Sequence, residues 1–221
     1  MRPIFPVFVG AALAAGSIAW AATPGNSSAS AEEAAPQAEA PAAPSVGQAR
    51  DSTIRNLQSA ARGEANAANR YGLFARKADE DGYGQVARLF RAAALSERIH
   101  LRNHQDVLRG LGVTPAPITL EPVAVGSTRE NLRVPIEGER GEATAMYPKY
   151  AETARTAGIQ SAVRTFTYAG QTEQQHLQLF EEALGKLGNN PPADYLVHSE
   201  SGMLTVQSPS RVASVISPSA G

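Results

Sequence analysis

The 221-residue chain contains no cysteine. That excludes disulfides, thiolate metal sites, a cysteine nucleophile and a bacterial lipid-anchor cysteine. It also lacks any excess of one charge: 20 Lys and Arg against 21 Asp and Glu leave a formal net charge of -1. With no Lys/Arg-rich cluster either, nothing electrostatic recommends nucleic acid as a partner. Long uncharged apolar runs are missing too, except at the start. Arg2 is followed by an uncharged stretch from Ile4 to Ala22 that ends near Ala19-Trp20-Ala21. This is the pattern of an export signal with a small-x-small cleavage site, over residues 1–22. The run is longer than usual for a cleaved signal, so an uncleaved membrane anchor is the competing expectation; Pro6, Gly10 and Gly16, which interrupt it, favour cleavage. Either way the rest of the chain is expected outside the cytoplasm, in the periplasm if the source has two membranes. Residues 23–48 are Ala, Pro, Ser and Glu with almost nothing large to bury, which predicts a disordered tether.

What is present, from Asp51 onward, is helical periodicity. The length suffices for one well-cored domain plus tails. Four stretches carry apolar seams. The first, about Ser52 to Ala78, has Leu57, Ala61, Glu64, Ala68, Tyr71 and Ala75. The second, about Gly84 to Leu111, has Val86, Phe90, Ala93, Glu97, His100, His104, Val107 and Leu111, and stops at Gly112. The third opens on the capping box Ser127-Thr128-Arg129-Glu130 and continues with Leu132, Ile136, Glu139, Ala143, Met146 and Tyr150. Pro135 falls past its first turn and predicts a bend. The fourth, about Ile159 to Leu187, has Ala162, Phe166, Ala169, Glu173, His176, Phe180, Ala183 and Leu187. "DEDGYG" and "TAG" are short connections, so the helices pair as antiparallel hairpins. Between the pairs lies "GVTPAPITLEPVAVG", long enough to run the length of a bundle. The expected fold is all-α: a ferritin-like four-helix bundle, residues 49–188, with one long crossover and a small tail at 189–221.

Each seam is interrupted at mid-length by ionisable groups. The first offers Glu64, the second Glu97-x-x-His100, the third Glu139 with Glu142 a turn on, and the fourth Glu173-x-x-His176. Glu from two helices and Glu-x-x-His from the other two is the ligand set of di-iron and di-manganese carboxylate bundles. An i, i+3 pair projects both side chains to one side, so one helix can supply a bridging carboxylate and a terminal imidazole. Five carboxylates and two neutral imidazoles in an apolar core require cations. A buried salt-bridge network would need Lys or Arg on the same seams, whereas Arg62, Arg70, Arg98, Arg102 and Arg140 are placed on other faces by the period. Hard oxygen ligands with two nitrogens suit Fe or Mn and disfavour tetrahedral zinc.

With "GEANAANRY" around Glu64, "VARLFRAAALSERIH" into His100, "IEGERGEATAMYPKY" around Glu139 and "TEQQH" at Glu173, the chain resembles the rubrerythrin family from about Ser52 to Leu187. The extra Glu142 is the specific mark of that resemblance. It implies a non-haem di-iron peroxidase that reduces hydrogen peroxide, commonly a homodimer, with two iron ions per chain and manganese as the alternative metal. It implies the ligands Glu64, Glu97, His100, Glu139, Glu142, Glu173 and His176, with Glu97 and Glu173 similar to the family's terminal or chelating positions. It further implies that one iron moves between Glu142 in the oxidised centre and His100 in the reduced one. Tyr71 and Tyr147 match tyrosines that hydrogen-bond ligand carboxylates; as bare residues, each reads equally well as a core aromatic. His104, a turn beyond His100, is expected beside the site rather than in it. In many family members a rubredoxin-like module with four cysteines follows the bundle. The tail here, "YLVHSESGMLTVQSPSRVASVIS", is similar in frame but carries His198, Ser201, Val212 and Val215 at the cysteine positions. It can hold no rubredoxin-type iron, so an external, exported electron donor is implied. The alternatives are a ferroxidase or iron-handling protein, and a metal-binding bundle without chemistry.

Overall fold

A computed structural model describes residues 43–207. The signal segment 1–22, the tether up to residue 42, and Val212 and Val215 lie outside the described residues. Helix α1 spans Val46–Glu80, α2 Gly84–Gly110, α3 Thr128–Gly141, α4 Tyr147–Thr156 and α5 Gln160–Gly185. A π-helical turn, Glu142–Met146, joins α3 to α4, and strands β1 (Asp194–Val197) and β2 (Leu204–Gln207) follow the last helix. Helix α1 starts at Val46, several residues ahead of the expected Ser52, so the end of the expected tether is helical. Its cause is a reciprocal cap: Ser45 Oγ accepts from the Gln48 N–H at 3.3 Å, and Gln48 Oε1 accepts from the Ser45 N–H at 2.8 Å.

Helices α1 and α2 form one hairpin, and the α3–α4 rod with α5 forms the other; α1 packs on α4, and α2 on α5. The crossover lies along α1, where Gln58 Oε1 accepts from the Ala116 N–H at 3.0 Å and Asn66 Oδ1 from the Glu121 N–H at 2.9 Å. At its far end Asp81, paired with Lys77 at 2.8 Å, accepts from both the N–H and the hydroxyl of Thr128, at 2.9 and 2.7 Å. That carboxylate therefore closes the first hairpin and caps the start of α3. No helix among the described residues is long and apolar enough to cross a membrane.

The helix continues through Pro135, which is buried against the core, and the irregularity falls further on. At 142–146 the Tyr147 N–H donates to the Glu142 carbonyl, five residues back. Pro148 supplies a reason, because it has no N–H to give the Thr144 carbonyl. One extra residue per turn rotates everything downstream. The inward residues become Tyr147, Ala151 and Ala154, all buried, in place of the expected Met146 and Tyr150, which are only half-buried.

The core is divided. One apolar cluster gathers Phe74, Phe90, Leu132 and Phe180 with Tyr71; the other gathers Leu57, Leu108, Phe166 and Ala169 with Tyr147. On α1, α2, α3 and α5 the buried glutamates and the Glu-x-x-His pairs fall between the two. Each buried Phe contributes roughly 1.5–3 kcal/mol, and that stabilisation on both sides tolerates a costly polar layer in the middle. The β1–β2 hairpin is antiparallel, with Val197 paired to Leu204. It lies on the bundle through Gln85, which bonds the Ala193 backbone in both directions, and through Gln175, which does the same for Leu204.

Candidate metal centre

Seam spacing put Glu64, Glu97, His100, Glu139, Glu173 and His176 on inward faces, and all six are buried to 2% exposure or less. They meet in two groups whose donor atoms lie within 4.8 Å of one another: Glu64, Glu97, His100 and Glu173, and Glu97, Glu139, Glu173 and His176. Glu97 and Glu173 belong to both. Shared membership is the arrangement that carboxylates common to two ions would need. Glu142 lies beside these groups, in the π turn, and is half-buried.

Distances inside the cluster are short. His100 Nδ1 lies 3.1 Å from Glu97 Oε2 and 3.0 Å from Glu173 Oε1. His176 Nδ1 lies 3.1 Å from Glu97 Oε1 and 2.9 Å from Glu173 Oε2. Yet among the described residues Glu97 Oε1, both Glu173 oxygens and both His176 nitrogens have no partner in hydrogen-bonding geometry. Their lone pairs point at shared space rather than at one another's protons. Buried polar atoms left this way are costly unless a cation completes them, so the donor set fits a pair of metal ions. Its chemistry is carboxylate and imidazole with no sulfur.

Without a cation the charges adjust by holding protons. Burial, then the carboxylates of Glu97 and Glu173, pushes Glu64 well up; burial, then Glu173 and Glu97, does the same to Glu139. Glu142 is pushed up to about 8 by burial and by Glu173 and Glu97, with Arg70 opposing. Burial would also raise Glu173, but His100 and His176 override it and hold that carboxyl below its usual range. Burial would lower both imidazoles; the facing carboxylates instead raise His100 and hold His176 at about 9.

The tyrosines flank the cluster. Tyr71 donates to Glu139 Oε1, and Tyr147 donates to Glu64 Oε1. Burial and these carboxylates raise both phenols, so they remain donors. His104 stands outside both groups: Nδ1 lies 3.1 Å from Thr165 Oγ1, and the ring stacks on Tyr147 at 5.9 Å. Burial, then His100, lowers it to about 3, so it is neutral.

Two features escaped sequence periodicity. Arg70, placed by the helical period on another face, lines a cavity of about 250 Å3 together with Glu64, Glu142, Tyr147 and Glu121. Its Nε is buried without a partner among the described residues, and its guanidinium lies 5.8 Å from the Tyr71 ring centroid. The other is the outer nitrogen of His100, which meets the Ser201 carbonyl at 2.9 Å. A backbone acceptor on a distant hairpin leaves no side-chain signal in the sequence.

A four-helix bundle with one long crossover, and a Glu and Glu-x-x-His cluster at its centre, defines a ferritin-like di-metal carboxylate protein. Comparison with known proteins narrows this. The rubrerythrin family model matches residues 55–184. Rubrerythrin-2 of Clostridium acetobutylicum is 40% identical over 129 residues, 58% of this chain and 69% of that one. Nigerythrin of Nitratidesulfovibrio vulgaris is 34% identical over 129 residues, 58% of this chain and 64% of the relative. A fully reduced, all-ferrous nigerythrin structure superposes with a TM-score of 0.66 at 28% identity, covering 78% of this chain and 82% of that one. The diiron-containing bacterioferritin of Desulfovibrio desulfuricans, at 21% identity and a TM-score of 0.60 over 66% of this chain and 86% of its own, shares the fold. The chain belongs to the rubrerythrin family.

Proposed function

We propose that the chain is an exported, non-haem di-iron peroxidase that reduces hydrogen peroxide with electrons from an external, exported donor. The observation that carries this is the pair of overlapping clusters sharing Glu97 and Glu173, with a further carboxylate, Glu142, at the edge of a cavity. Two ferrous ions held there would supply the two electrons that, with two protons, convert one hydrogen peroxide into two waters. Manganese is the alternative metal, and the donor set accepts either.

The residues divide the work. Glu97 and Glu173 would contribute to both positions, with Glu64 and His100 completing one and Glu139 and His176 the other. Tyr71 and Tyr147 fix the orientation of Glu139 and Glu64 by donating to them. Glu142, protonated near neutrality when no metal is bound, sits beside the cavity where a small substrate enters. By family resemblance Glu142 and His100 would be the two residues that alternate in holding one ion. The cysteine-free sequence leaves the electrons to a separate protein or a diffusible reductant. The signal pattern of residues 1–22 supports export, to the periplasm where the source has two membranes, and the family resemblance supports a homodimer.

Anaerobic reduction of the iron-loaded protein, followed by mixing with peroxide or with oxygen, tests the proposal. Reoxidation should be substantially faster with peroxide. Equal or faster reoxidation by oxygen would instead indicate a ferroxidase or iron-handling protein. Two bound ions with no reoxidation by either would indicate a bundle that binds metal without chemistry.

A further inference from the structure

The turn between β1 and β2, His198 to Met203, sits directly on the outer side of His100. It is closed by the Gly202 N–H donating to the His198 carbonyl and the His198 N–H to the Met203 carbonyl, both at 2.9 Å. The bundle then holds that turn by its backbone. Ser96 Oγ donates to the Gly202 carbonyl at 2.8 Å, and the Thr172 hydroxyl is shared between the Ser201 carbonyl at 3.0 Å and the Tyr168 carbonyl at 2.9 Å. Asn103 donates to the Glu200 carbonyl at 2.7 Å, and Arg102 to the Ser199 carbonyl at 2.6 Å. The approach is close enough to require glycine: a Cβ on residue 202 would lie 2.5 Å from His100 Nε2 and 2.6 Å from Ser96 Oγ, and φ there is +79°.

The consequence falls on one imidazole. A carbonyl can only accept, so His100 Nε2 must carry the hydrogen in its 2.9 Å contact with Ser201. With Nε2 protonated and anchored, Nδ1 is the nitrogen left facing Glu97, Glu173 and Glu64. His176 has no such anchor among the described residues, where its Nε2 is buried without a partner. A cysteine-free hairpin thus keeps the backbone from His198 to Met203 in register with a single ring.

We propose that the C-terminal hairpin is a positioning element of the metal centre, in which the Ser201 carbonyl, held by Thr172 directly and by Ser96 through the adjacent Gly202 carbonyl, fixes the tautomer and reach of His100. This rests on the di-metal reading above. It differs from a general stabilising role in predicting an effect on one metal position only, the one that includes Glu64 and His100.

The experiment is anaerobic ferrous titration of the full chain, combined with NMR of 15N-labelled histidine in the metal-free chain. Wild type should bind two ions and show a slowly exchanging His100 Nε2–H. Gly202→Ala should weaken one ion by about tenfold or more, leave the other unchanged, and make that proton exchange faster. Ser201→Ala, which keeps the carbonyl, should match wild type in both measurements. If Gly202→Ala does not fold, Ser96→Ala with Thr172→Val loosens the same turn and should weaken the same ion. Unchanged ferrous affinities with an unchanged Nε2–H signal, in either variant, overturn the inference. Wild type binding fewer than two ions overturns the di-metal reading instead, and the exchange rates still judge the anchor.

Discussion

Tyr147 hydrogen-bonds Glu64 across 83 residues of sequence, and Tyr71 reciprocates for Glu139 across 68. Each hairpin thus lends a phenol to the lone glutamate of the other. Tyr71 lies two helical turns past Glu64, whereas Tyr147 lies two turns and one residue past Glu139. The π turn absorbs that residue, and without it the second phenol would point elsewhere.

Removing one phenol tests whether the cross-brace matters for metal. Tyr147→Phe should keep the helical content but weaken ferrous binding by about tenfold to a hundredfold, the usual cost of losing a ligand's hydrogen-bond partner. Anaerobic titration measures this. An affinity equal to that of wild type would reduce Tyr147 to a core aromatic.

Metal stoichiometry is the second expectation. The two overlapping groups call for two transition-metal ions per chain. Elemental analysis after reconstitution with ferrous iron should return that number, and one ion or none would sink the di-metal reading.

Removing the metal should invert the response of stability to pH. Burial and neighbouring carboxylates hold Glu142 at about 8, above its ordinary 4.5, and raise Glu64 and Glu139. Against burial, Glu97 and Glu173 hold His176 at about 9, above 6.5. All these folded values exceed the unfolded ones, so the metal-free fold holds extra protons that it must surrender as pH rises. Its stability should fall from pH 6.5 to pH 9. Glu173 and His104 act with the opposite sign, but their shifts lie below 6.5. Metal-loaded protein should gain over the same range, because ligands bind metal deprotonated. Thermal melts of both forms would show the crossing; parallel curves would mean that the carboxylates do not converge.

Glu142→Ala separates peroxidase from ferroxidase. The remaining carboxylates and both histidines still form two complete groups, so most of the metal affinity should survive. Reoxidation of the reduced protein by peroxide should slow substantially, and the preference for peroxide over oxygen should shrink. Stopped-flow traces identical to wild type would count against a role for Glu142 in turnover.

Much of this was legible in the sequence for one physical reason. A carboxylate in an apolar seam is expensive, so Glu64, Glu97, Glu139 and Glu173 stand out wherever helical period is clear. The same period fails past Glu139, because it assumes a constant number of residues per turn. It therefore chose Met146 and Tyr150, and only family resemblance pointed to Tyr147. The start of α1 was obscured because Ser45 and Gln48 cap a stretch whose composition resembles a tether. Arg70 was assigned by angle alone, although a long side chain can reach round a helix toward Glu142. The His100 anchor was invisible, since any residue at 201 presents the same carbonyl.

Neither hairpin contains a whole site. The first group takes Glu64, Glu97 and His100 from α1 and α2 but needs Glu173 from α5; the second takes Glu139, Glu173 and His176 from α3 and α5 but needs Glu97 from α2. A chain with only one hairpin formed has nothing to offer either ion at full strength. Metal uptake would thus report completed assembly, with newly made molecules staying empty until their two halves have closed.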